Sequence, residues 1–175
     1  MLTLLLLPFL AAPPTCPPAR DLDTVELAAA IKPSVVVVHQ VGRPGRDALG
    51  TGFVIDGGLV VTNQHVIGEG RALWLETSEG VRHDVTEVVA FDRKSDLAVL
   101  RLTETSLPPL SLGNDATLRD GQGIVAIGTP RGLKSSVVAG VVSGRREVDG
   151  RNMIQVAIPI EPGNSGGPVV DRRGR

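Results

Sequence analysis

A single cysteine, Cys16, is all the thiol this 175-residue chain contains. One thiol allows neither an intramolecular disulfide nor a cysteine-based zinc site. A chain long enough to bury a sizeable core needs neither. Aromatic residues are nearly as scarce, with one Trp, three Phe and no Tyr. That argues against a nucleic-acid or sugar-binding face built on stacked rings. Charge is balanced, 18 Lys and Arg against 19 Asp and Glu, with no basic block and no acidic tail. Nucleic acid as a partner and a disordered acidic segment are both disfavoured. No apolar run is long enough to span a bilayer as a helix, no long amphipathic helical period is present, and nothing calls for a metal or cofactor. What the chain has is 21 Gly, 13 Pro and valine in short runs, the composition of short strands joined by tight turns.

The stretch MLTLLLLPFLAAPPTCPPAR is apolar and then proline-rich. Its apolar part has the length of a signal-peptide core, so residues 1–20 read as an export leader and the protein as periplasmic or extracellular. A basic start and a small-x-small cleavage site are missing. Cys16 lies where a lipid-anchored protein carries its acylated cysteine, although PPTC is a poor acylation sequence. The competing reading is a structureless tail behind a wrongly assigned start.

Beyond the leader, Asp23 or Thr24 caps a short helix with Leu27 and Ile31 on one side, ended by Pro33. Six strands are then expected, in Val35–Val41, GTGFVID, LVVTN, ALWLET, VRHDVTEVVAFD and LAVLRL, the second and third joined by an Asp56-Gly57-Gly58 turn. The segment TETSLPPLSLGNDATLRDGQ has no period and reads as a crossing linker. Strands resume at GIVAIG, SSVVAGVVSGRREV and MIQVAI, and GPVVDRRGR begins another. The expected organisation is a first lobe over 21–104, a linker over 105–121 and a partial second lobe over 122–175. Strands at regular spacing without helices predict antiparallel barrels or a sandwich.

The segment EPGNSGGPVV places Ser165 between glycines and satisfies the G-x-S-x-G pattern of hydrolase elbows. That elbow needs a helix after the serine and a histidine later in the chain. Pro168 and the absence of any later His exclude it, so a base must come from upstream. His39 ends a valine run and reads as a structural residue; His83 lies on a solvated strand face. His65 sits just past two strands, at the start of a turn, where catalytic groups are commonly carried. A carboxylate to hold its imidazole ranks Asp96 first, because it directly precedes the apolar strand LAVLRL and its side chain is expected to be buried there. Asp84 and Asp92 are alternatives.

Three ordered blocks, TNQHV, SDLAVLRL and PGNSGGP, resemble the His, Asp and Ser blocks of chymotrypsin-like serine proteases, nearest the HtrA/Deg group. The flanks IKPSVVVV, GTGFVI, VAIGTPRGL and VVAGVVSGRR agree, and the likeness covers roughly residues 24–171. It implies an all-β fold of two perpendicular six-stranded antiparallel barrels, with the catalytic groups in the cleft between them. It further implies Ser165 as nucleophile, His65 as base and then acid, Asp96 as orienting carboxylate, and the Gly163 and Ser165 N–H groups as oxyanion hole. Protein or peptide substrates, a role in quality control and a trimeric assembly are the corresponding expectations.

The sequence departs from the family pattern twice. The family has Thr-Asp-Ala-Ala-Ile-Asn before the Pro-Gly; here Val156, Ala157, Ile158 and Pro159 replace the first four, Ile160 matches and Glu161 replaces the Asn. Pro159, Ile160 and Glu161 then form one wall of an apolar S1 pocket, predicting small or medium aliphatic P1 residues. The chain also stops before two strands the second barrel would require, which reads as a fragment of a longer protein in preference to a degenerate one. The connection GRPGRDA leaves no room for a long regulatory loop. Two rival readings are a catalytically silent barrel that binds peptides and an esterase, the latter weakened by the His-Asp-Ser order.

Overall fold

The computed structural model describes residues 20–41, 48–68, 72–103, 106–129 and 136–175, without the side chains of 48 and 49. The leader reading for 1–19 and the GRPGRDA connection fall outside the described residues. Six strands, β1 (Val35–Gln40), β2 (Ala48–Ile55), β3 (Leu59–Thr62), β4 (Leu73–Thr77), β5 (Arg82–Asp92) and β6 (Leu97–Leu102), close into an antiparallel barrel in the order β1-β2-β3-β6-β5-β4. Strand β5 runs from pairing with β4 to pairing with β6, and breaks register between Val85 and Glu87 and between Val88 and Ala90. Such bulges let one strand bend around a barrel corner.

Strands β7 (Gly123–Gly128), β8 (Ser136–Val148), β9 (Arg151–Ala157) and β10 (Val169–Asp171) form a second antiparallel sheet in the order β10-β7-β8-β9. Its inner face, with Ile124, Val142, Ile154, Val156 and Val170, lines a cavity of about 320 Å³. The all-β double-lobed architecture is therefore as expected, the second lobe being an open sheet among the described residues.

The valine run of β1 is buried on both faces. Val36 and Val38 point into the barrel core with Val54, Val60, Leu75 and Leu100. Val35 points the other way, into a second core with Val125, Ile127 and Val170. A strand sandwiched between two cores has no solvent face, so its apolar residues do not alternate with polar ones. Helix α1 (Thr24–Ile31) is capped by Asp23, which accepts from Val25 N and Glu26 N, while Glu26 reaches back to Asp23 N. That reciprocal capping box satisfies donors a helix end otherwise leaves orphaned. Sequence reading assigned this helix to the first lobe. In the structure Leu27 and Ile31 pack instead into the second core, so α1 staples the two lobes together. The linker contributes likewise: Leu110 enters that core, and its N–H bonds Val54 O at 2.8 Å.

Candidate active site

Strand β2 carries the sequence Gly50-Thr51-Gly52, and small residues here are a steric necessity. A Cβ on Gly50 would lie 2.5 Å from Val66 Cγ1. Val66 belongs to α2 (Gln64–Ile67), a one-turn helix with Val66 and Ile67 buried and His65 exposed. The helix thus sits directly on β2, and its buried face fixes where His65 emerges.

Asp96 clamps the start of α2. Its Oδ2 lies 2.7 Å from His65 Nδ1, and its Oδ1 accepts the His65 backbone N–H at 2.9 Å. Its carbonyl accepts Gln64 N at 3.1 Å and Asn63 Nδ2 at 2.7 Å. Asp96 adopts a left-handed backbone with φ 54°, a conformation aspartate tolerates better than most residues. This turn swings the carboxylate away from the barrel interior toward α2, so the expected burial is not observed: the side chain is 38% exposed, and the first buried residue of the following strand is Ala98. Partial burial works against its ionised form. The His65 backbone N–H, the His65 ring, its positive charge when protonated and the Gln64 N–H more than offset this, holding the carboxyl below the usual aspartate range.

The alternative carboxylates are engaged elsewhere. Asp84 pairs with Arg82 at 2.8 Å. Asp92 accepts from Lys94 N at 2.9 Å and from the Ser95 N–H and hydroxyl, shaping the β5–β6 turn. His39 stacks on its cross-strand neighbour Trp74, with ring centroids 3.5 Å apart, and its Nε2 lies 3.1 Å from Glu76. His83 is half-buried on β5, opposite Leu75, and less solvated than its polar surroundings imply.

Ser165 lies in the loop between β9 and β10. Thr51 N donates to Ser165 O at 2.8 Å, and Thr51 Oγ1 donates to Gly163 O at 2.6 Å. Gly166, at φ 84°, packs so closely that a Cβ would overlap Thr51 O and Thr62 Oγ1 and stand 3.0 Å from Asn63 N. The serine loop therefore rests on the residues leading into α2. Within the loop Asn164 N bonds Glu161 O and Gly167 N bonds Asn164 O. Among the described residues, the N–H groups of Gly163 and Ser165 have no partner. No hydrogen bond joins His65 to Ser165 among the described residues either; such bonds are often long in substrate-free sites and tighten around a substrate. Pro159, Ile160 and Glu161 are exposed beside this loop, Ile160 by 76%.

Thr51, which binds this loop, and Thr129, which bonds Thr51, carry no catalytic signature in the sequence. Thr51 and Thr129 are both buried, and both follow a glycine, in GTG and GTP. A threonine placed directly after a glycine, in or at the end of an apolar strand, is the signal that could have found them.

The family model described as a trypsin-like peptidase domain matches residues 50–175. A probable periplasmic serine endoprotease DegP-like from Chlamydia trachomatis is 39% identical over 137 residues, covering 74% of this chain and 27% of the relative. The mitochondrial serine protease HTRA2 of Bos taurus is 34% identical over 181 residues, covering 94% of this chain and 39% of the relative. The chain thus spans well under half the length of these curated relatives. Among solved structures, a serine endoprotease from Yersinia pestis superposes with a TM-score of 0.76 at 30% identity, covering 87% of this chain and 54% of that one. The HtrA-type protease AlgW with a tripeptide gives 0.79 at 28%, covering 87% and 52%. A barrel carrying a His–Asp pair, a glycine-flanked serine beside it, and these likenesses agree: the chain belongs to the trypsin-like peptidases, in their HtrA group of serine proteases.

Proposed function

We propose that this chain hydrolyses peptide bonds as an endopeptidase, through Ser165, His65 and Asp96. The observation that carries the reading is the double grip of the Asp96 carboxylate on the ring and backbone of His65. With Nδ1–H donated to Asp96, the lone pair on Nε2 is left to take the serine proton. Ser165 Oγ attacks the scissile carbonyl carbon as its proton passes to Nε2, and the carbonyl π pair becomes an oxyanion. The unpartnered N–H groups of Gly163 and Ser165 are the donors for it, at about 3–4 kcal/mol each. Collapse breaks the C–N bond, His65 protonates the leaving amine, and water repeats the sequence on the acyl-enzyme.

The periplasmic endoproteases among its relatives support an exported protein, and protein quality control is the role expected for it. The substrates are proteins or peptides, in keeping with the tripeptide held by AlgW. Exposed Ile160 and Pro159 favour an S1 wall for small or medium aliphatic side chains; cleavage faster after Arg or Lys than after Val, Ala or Leu would overturn that preference. A trimer is the expected assembly, checked by light scattering.

The reading is tested by fluorophosphonate labelling of the chain, with Ser165→Ala and His65→Ala as controls. Labelling abolished in both variants supports it. An unlabelled wild type favours the silent peptide-binding barrel.

A further inference from the structure

We propose that the hydroxyl of Thr51 is a positioning group for the Ser165 loop, holding the peptide plane that follows Gly163 and, through it, the orientation of the residues whose N–H groups are unpartnered. The inference rests on the activity proposed above.

Thr51 is fully buried, at 0% exposure, and its hydroxyl has three neighbours. Gly163 O lies at 2.6 Å, Thr129 N at 2.9 Å and Thr129 Oγ1 at 2.9 Å. A hydroxyl has one proton and two lone pairs. Gly163 O can only accept, so it takes the Thr51 proton. Thr129 N can only donate, so it fills one lone pair. The second lone pair then receives the Thr129 hydroxyl proton, leaving the longer contact from Thr129 Oγ1 to Gly50 O, at 3.4 Å, as a minor one. Every hydrogen-bonding site of the Thr51 hydroxyl is used, and the direction of each bond is fixed by chemistry.

The backbone of Thr51 adds a second grip. The β2–β3 ladder ends at Gly52 opposite Thr62, so Thr51 is one residue past it, and its N–H is given to Ser165 O. Its carbonyl accepts Thr62 Oγ1 at 2.7 Å. One residue of the barrel therefore holds the carbonyls of both residues whose N–H groups are unpartnered. Gly163 stands at φ 102°, where a glycine backbone turns over at little cost. The bond from Thr51 Oγ1 to Gly163 O fixes the Gly163–Asn164 peptide, whose N–H is given to Glu161 O, and so anchors the loop on the far side of the Gly163 N–H. Thr129, just after β7, ties the same hydroxyl to the second sheet, so the arrangement also reports on the docking of the two lobes.

The experiment compares labelling rates of the full chain by a fluorophosphonate in wild type, Thr51→Val, Thr51→Ser and Thr51→Ala. Labelling of the wild type tests the underlying activity; the ratios among variants test the positioning role. Thr51→Val keeps the shape and removes the hydroxyl, and is expected to label about 10- to 100-fold more slowly. Thr51→Ser restores the hydroxyl and should label near the wild-type rate. The midpoint of the pH–rate profile should not move, since Thr51 touches neither His65 nor Asp96. If Thr51→Val fails to fold, the Ser and Ala variants, which differ only by the hydroxyl, are compared below their melting midpoints. A folded Thr51→Val labelling within about threefold of wild type overturns the proposal, as do equal losses in the Ser and Ala variants.

Discussion

Replacing Asp96 with asparagine separates chemistry from folding at this site. Asparagine tolerates the left-handed backbone at φ 54°, so the turn survives. The side-chain oxygen can keep the bond from the His65 backbone N–H, and the carbonyl keeps Gln64 and Asn63. The new amide then faces Nδ1 as a donor and stabilises the tautomer with its proton on Nε2. In that tautomer the imidazole has no lone pair for the Ser165 proton, and no carboxylate balances the imidazolium. A loss of about 10⁴ in rate is expected, equivalent to about 5.5 kcal/mol of transition-state stabilisation. Stability should change far less. The pair is solvent-accessible, with His65 57% and Asp96 38% exposed, so the lost ion pair amounts to about 1 kcal/mol or less. Fluorophosphonate labelling rates and urea unfolding on the same preparations measure the two quantities. Labelling within about tenfold of wild type, or a rate loss matched by an equally large stability loss, would refute the argument.

Other expectations follow from packing and charge. Gly50→Ala pushes a methyl into Val66, 2.5 Å from its Cγ1, and should lower stability by about 1–3 kcal/mol in urea unfolding while slowing labelling, because α2 carries His65. Asp23→Ala removes the acceptor for Val25 N and Glu26 N and should cost about 1 kcal/mol in the same assay, felt by both lobes through Leu27 and Ile31. Asp96 ionises more readily folded than unfolded, so below the usual aspartate range the unfolded chain binds more protons. Its contribution is therefore complete above the unfolded value of about 3.9 and is lost as pH falls through the lower folded value. Acid titration of wild type should accordingly lose stability more steeply below about pH 4 than that of Asp96→Asn.

Strand identities were legible because local chemistry governs them: β-branched runs bounded by Gly, Pro and Asp leave little choice, and the turn at Asp56-Gly57-Gly58 falls as expected. His65, Asp96 and Ser165 were legible as blocks because each stands at the end of a strand or in a glycine turn. The burial of Asp96 was misjudged for a local reason. Its left-handed φ reverses the side-chain direction, and aspartate alone does not announce that conformation.

The sequence by itself determined the strands, the cap on α1 and which residues could carry the chemistry, since these depend on neighbours a few positions apart. The tertiary structure alone decided that α1 serves the second core, that Asp84 and Asp92 are occupied elsewhere, and that Thr51 holds a loop 112 positions later. Those contacts join residues whose spacing in the chain carries no periodic signal. They form only when barrel closure brings β2, the β5–β6 turn and the serine loop to one edge, where buried donors and acceptors must find one another.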